Sequence, residues 1–152
     1  MTPERTYTIR QAAALTGLPA RTLRYYEDIG VVPAVARGES SGHRVYDEAD
    51  LDLLTWVACL AATGMSVADM RRYVANGAEG VCAADEQIEL LRTQQAQLAV
   101  EAEMLAVRRR YVDIKIAYWQ AIQDGDQARV ADLEAQAREL ADTLKKNPKE
   151  PK

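Results

Sequence analysis

The spacing of apolar residues changes along the chain. Up to Gly80 they fall in short helical runs interrupted by Gly or Pro, whereas from Val81 to Asp124 neither breaker occurs. In the first regime Thr8 is placed to cap a short helix over 9–16. The turn Gly17-Leu18-Pro19 follows, then a second helix over 20–29 that ends at Gly30. Two helices joined by a short Gly-containing turn are the pattern of a helix-turn-helix, whose second helix reads the DNA major groove. The texture then becomes β-like: Val31-Val32-Pro33, a polar run from Arg37 to Gly42, and His43-Arg44-Val45-Tyr46 predict a hairpin or wing. Asp47, with Asp50 three residues later, predicts the start of a third helix whose apolar positions include Leu51, Leu54, Val57, Ala58 and Ala61. Gly64 stops it, and Ser66 caps a fourth helix over 67–75 that Asn76-Gly77 closes.

The second regime fits a heptad frame. With d at Leu91, Leu98, Leu105, Val112 and Trp119, the a positions are Ile88, Gln95, Ala102, Arg109 and Ile116, so every d is apolar and a is mixed. At about 1.5 Å per residue such a helix extends on the order of 60 Å, more than a small domain covers. It needs a partner helix, most simply its own copy in a homodimer. Beyond Gly125, the positions Val130, Leu133, Ala137, Leu140 and Leu144 predict a further helix that either folds back or packs across the dimer. The expected division is a winged helix-turn-helix domain over 1–80, a long dimerisation helix over 81–124, a C-terminal helix over 125–146 and a flexible tail over 147–152. The fold class is mainly α.

Composition first argues against nucleic acid and then, once divided, for it. The 152 residues carry 19 Lys+Arg against 23 Asp+Glu, a formal net charge of -4. Within residues 1–46, however, six Arg face four acids, a local balance of +2. The acidity therefore lies outside the helix-turn-helix and wing. Size leaves room for one ordinary domain with a helical appendage, not for a two-domain enzyme. No Ser/His/Asp set or phosphate loop appears, so the expectation is a protein that is not an enzyme and needs no cofactor. Two cysteines, Cys59 and Cys82, and one histidine supply neither a disulfide framework nor a zinc-ligand spacing. With no signal peptide or long apolar span, the expected location is the cytoplasm, with reduced thiols and no membrane partner.

The chemistry concentrates on the second helix and the wing. Arg21, Thr22, Arg24, Tyr25 and Tyr26 put two guanidiniums, one hydroxyl and two phenols on the reading helix, and Arg44 and Tyr46 repeat the same pair of chemistries on the wing. Arg offers bidentate donors to phosphate or guanine; Tyr and Thr hydroxyls bind phosphate without adding charge.

These segments carry a family resemblance. Thr8-Ile9 before an Ala-rich helix, then RTLRYYEDIGVV, GHRVYDEADLDLL and TGMSVADM, resemble the MerR family of transcription regulators over residues 6–76. The resemblance implies a winged helix-turn-helix domain, an antiparallel coiled-coil homodimer and binding to double-stranded promoter DNA. It also implies action on RNA polymerase through distortion of the promoter. His43 departs from the Tyr usual at that wing position. The metal-sensing branch of the family implies clustered Cys ligands, and no Cys follows Cys82 to complete such a set. The segment WVACLAATGMSVADM, with Cys59 just before a Gly-containing turn, and RRYVDIKIAYWQAI resemble the thiol-based branch that responds to aldehydes and other electrophiles. That likeness makes Cys59 the first sensor candidate and Cys82 the second, by alkylation or oxidation. A buried, inert Cys59 is the competing reading, because no cation stands within a helical turn of it. Three alternatives to thiol sensing remain at this level: a small-molecule response, with Tyr111, Tyr118 and Trp119 lining a pocket instead of a dimer core, a metal response, and an inducer-independent DNA-bending protein.

Overall fold

The computed structural model describes residues 4–146; the expected tail over 147–152 lies outside the described residues. Two compact units are present, one up to Gln95 and one from Ala96 onward. In the first unit, α1 (Ile9–Thr16) begins with a capping box. Thr8 Oγ1 accepts the Gln11 amide at 3.2 Å and Gln11 Oε1 accepts the Thr8 amide at 2.9 Å, so two otherwise orphaned donors are satisfied by local sequence. Gly17, at φ 76°, takes the left-handed conformation that ends α1 and turns the chain into α2 (Ala20–Asp28).

Beyond α2 the wing is a two-stranded antiparallel ribbon, β1 (Ala36–Arg37) and β2 (Arg44–Val45), with Ala36 opposite Val45 and Arg37 opposite Arg44. Its base is tied back to the N-terminal segment: Tyr7 and Tyr46 exchange backbone hydrogen bonds of 2.8 and 2.9 Å. α3 (Glu48–Ala62) starts with a second capping box, formed between Asp47 and Asp50 as the spacing predicts, and α4 (Val67–Gly77) starts at Ser66, whose Oγ accepts the Asp69 amide at 3.1 Å. Ala12, Leu23, Tyr26, Val31, Tyr46, Leu54, Val57 and Met70 are among the residues that close a single core beneath these elements. Each large side chain taken out of water there contributes about 1.5–3 kcal/mol.

α4 continues through Gly77, past the Asn76-Gly77 stop expected from sequence, and the direction changes instead at Gly80, which has φ 60°. A single 3-10 turn (Gly80–Ala83) then leads into α5 (Ala84–Asp124). Cys82 consequently sits in that turn and not in the first turn of the long helix. In the second unit Gly125 reverses the chain into α6 (Gln127–Lys146), and the alternative left open for this helix resolves as folding back. Val130, Leu133, Ala137 and Leu140 of α6 pack on Ile114, Ala117, Tyr118 and Ala121 of α5.

Candidate nucleic-acid interface

α2 has two sides with different work. Leu23 and Tyr26, one helical turn apart, enter the core. Arg21, Arg24 and Tyr25 are exposed, Tyr25 at 51%, and Thr22 is half-buried beside them. The exposed positions fall at helical spacing, so two guanidiniums and a phenol share one solvent-facing surface.

The wing is braced against the end of α2 by charge. Arg44 Nε donates to Glu27 Oε2 at 2.8 Å, and both side chains are largely shielded from water. A second guanidinium, Arg37, lies 4.0 Å from the other Glu27 oxygen while remaining half exposed. The hydrogen bond to Glu27 holds the Arg44 guanidinium above its ordinary range, against the opposing effect of burial. Arg44 is thus fully charged and fixed in direction. One acid on α2 ties that helix to the wing, and spacing alone gave Glu27 and Arg37 no part in this. Glu27 was detectable in principle, as an acid lying between the two basic clusters of the first 46 residues.

Two of the expected contacts are corrected by burial. Tyr46 is only 1% exposed and its hydroxyl is enclosed without a hydrogen-bond partner among the described residues, which also raises its pKa. It supports the base of the wing and cannot touch a phosphate from this position. Tyr26, at 8% exposed, likewise belongs to the core, with its ring 6.1 Å from that of Tyr25. The adjacent tyrosines therefore divide the tasks of packing and presentation. Alternation within a two-residue Tyr-Tyr step could not assign which ring faces which way. Sequence reading also missed Tyr7, which pairs with Tyr46 through the backbone and donates its hydroxyl hydrogen bond to Glu48 at the start of α3.

The two thiols are free and both exposed. Cys59 is therefore not the buried core residue of the competing reading. It lines an apolar cleft of about 720 Å³ with Trp56, Leu60, Tyr73 and Val74, on the α3–α4 face of the first unit. His43 is exposed on the wing. Among the described residues no group of three or more His, Cys, Asp or Glu side chains is placed to hold a metal ion, and no helix is long and apolar enough to cross a membrane.

Comparison with known proteins places this geometry. The profile of the MerR HTH family regulatory proteins matches residues 7–77. An uncharacterized HTH-type transcriptional regulator of Haemophilus influenzae is 34% identical over 118 residues, covering 76% of this chain and 84% of that protein. The uncharacterized HTH-type transcriptional regulator YyaN of Bacillus subtilis is 41% identical over 71 residues, 47% of this chain and 51% of that protein. Among solved structures, HiNmlR, described as a MerR family regulator lacking the sensor domain and bound to promoter DNA, is 31% identical. It superposes with a TM-score of 0.66 over 85% of this chain and 96% of its own. The relatives are named as regulators, not as enzymes. With its winged helix-turn-helix, its long following helix and this coverage, the chain belongs to the MerR family of HTH transcriptional regulators.

Proposed function

We propose that the chain is a homodimeric, promoter-binding regulator that reads DNA with the exposed face of α2 and grips the flanking backbone with the wing. Residues 1–80 form the DNA-binding part, 81–124 the dimerisation helix, and 125–146 a helix that buttresses it. The observation that carries this reading is the Arg21, Arg24 and Tyr25 surface on a helix locked to the wing through Glu27 and Arg44. The promoter-DNA complex of the similar HiNmlR chain supports it. Arg21 and Arg24 supply guanidiniums for base edges or phosphates; Thr22 and Tyr25 supply hydroxyls for phosphates. Arg44 approaches the backbone from a fixed direction. In such an assembly two half-sites are bound at once, and distortion of the DNA between them changes what RNA polymerase can use.

The test is binding to duplexes selected by the protein from a random pool. Arg24→Ala with Tyr25→Ala should lower affinity by a factor of roughly 100 or more, at about 1–3 kcal/mol for each lost contact. The wild type should show a steep salt dependence. Unchanged affinity in the double variant would remove α2 as the reading helix.

For the signal, the exposed Cys59 beside an apolar cleft favours a thiol-reactive inducer, an aldehyde or other electrophile or an oxidant. Conjugate addition of the thiolate to an unsaturated aldehyde forms a carbon–sulfur bond, and the α carbon takes its proton from water. The adduct fills the cleft at the α3–α4 face. Transcription from the bound promoter, measured with and without such a reagent, should respond in wild type and not in Cys59→Ser. A response retained in that variant assigns sensing elsewhere, with Cys82→Ser as the next variant. Silence of wild type and variant across thiol reagents and a panel of small-molecule and metal ligands favours the inducer-independent DNA-bending reading.

A further inference from the structure

Where α6 folds back on α5, the two helices leave a recess of about 250 Å³ between them, wholly within the second unit. From α5 it is lined by Tyr111, Lys115 and Tyr118, which follow one another at single-turn spacing on one face. From α6 come Glu134 and Arg138, also one turn apart, and the buried Leu133. Ala137 and Ala141 complete the lining, and their small side chains leave the space that a larger residue at either position would fill. Tyr111 and Tyr118 both occupy c positions of the heptad frame, so a helix covering a and d leaves the recess open.

The cations of this recess are unspent. Neither Lys115 nor Arg138 makes a salt bridge among the described residues. Glu134 stands four residues before Arg138, the order that favours an ion pair along a helix, yet the two do not pair. Lys115 lies instead over the Tyr118 ring, with Nζ 5.0 Å from its centroid. Two cations and one acid give the lining a formal charge of +1, which complements a monoanion.

We propose that this recess is an effector site for a single-ring aromatic carboxylate that carries a phenolic hydroxyl. Size sets the single ring, since the space is smaller than the roughly 300–1,000 Å³ of drug-sized sites. Tyr111 and Tyr118 supply aromatic surface for that ring, and Leu133, Ala137 and Ala141 supply apolar contact. The Arg138 fork takes both carboxylate oxygens and Lys115 adds a second positive charge. Glu134 accepts the hydroxyl proton in a hydrogen bond and repels a dicarboxylate. A ligand so held bridges α5 and α6, and because it binds only the folded pair it stabilises that pair. Trp119, grouped with Tyr111 and Tyr118 on sequence grounds, does not line the recess; its ring meets that of Tyr118 edge-on at 5.4 Å. The inference is independent of the Cys59 reading, because the recess holds no thiol and Cys59 belongs to the first unit.

The test is titration calorimetry of the full chain with 4-hydroxybenzoate, beside the uncharged 4-hydroxybenzamide. The acid should bind once per chain and the amide at least roughly tenfold more weakly, and added salt should weaken the acid alone. Lys115→Gln and Arg138→Gln should each lower affinity for the acid by roughly tenfold. Ala137→Leu should abolish binding by filling the space, with circular dichroism confirming that the helices remain; Ala141→Met serves where Ala137→Leu does not fold. Cys59→Ser should bind as wild type does. Absence of binding by 4-hydroxybenzoate and by 3-hydroxybenzoate at millimolar concentration overturns the site. Equal affinity for acid and amide overturns the charge recognition that defines it. Binding that survives the filled variants, or that is lost in Cys59→Ser, puts the ligand elsewhere and also overturns it.

Discussion

The two units solve the burial problem in different ways. In the first, short helices and a wing enclose core residues drawn from α1, α2, α3, α4 and the wing base, and polar ties such as Glu27–Arg44 close its edges. In the second, α5 and α6 bury Ile114, Ala121 and Leu133 with a few partly covered neighbours, while large apolar side chains on the remaining face stay open to water. The first has a continuous buried core of its own. The second leaves a run of exposed apolar side chains of the kind that marks an interaction surface.

The comparison breaks most readily at Leu23. Leu23→Ala removes a side chain enclosed on all sides and should cost about 2–5 kcal/mol in urea-induced unfolding; a loss under about 1 kcal/mol would mean that the first core is looser than its burial indicates. At the seam, Leu105→Asp should raise the dimer dissociation constant by far more than tenfold, each tenfold being about 1.4 kcal/mol. The helical signal of the first unit should persist. Sedimentation and circular dichroism on one sample would separate the two effects, and joint loss of both would deny the units their independence.

Smaller effects sharpen the same contrast. Glu27→Gln leaves Arg44 largely shielded and without its carboxylate, a loss of about 1.5–3 kcal/mol in wing anchoring. Weaker DNA binding with an unchanged sedimentation profile is the expected pair of readings. The smallest effect is at Glu86, whose pKa is lowered chiefly by its hydrogen bond with Arg72. A depressed carboxylate stabilises the fold above its ordinary value of 4.5 and loses that contribution as the pH falls through the lower folded value. Glu86→Gln should therefore narrow the stability difference between neutral and acid pH slightly, and a wider difference would reverse the sign.

What was legible in the sequence was what adjacent residues decide among themselves. Thr8 with Gln11, Asp47 with Asp50, and Ser66 three residues before Asp69 start their helices where capping chemistry requires. The d positions from Leu91 to Trp119 declare a seam because helical periodicity needs no tertiary context. Other features were illegible because they depend on what lies across the fold. The burial of Tyr46 depends on Tyr7, which is far away in sequence, and the exposure of Cys59 depends on how α3 and α4 leave a cleft between them.

The sequence by itself thus determined the helices, their caps, the basic character of residues 1–46 and the heptad frame, all of them short-range properties of propensity, charge and period. Only the tertiary structure decided which of two adjacent tyrosines points outward, which acid holds the wing and which side of α5 receives α6. Those choices are made by close packing, where a side chain one turn away on the same helix meets different neighbours and so acquires a different role.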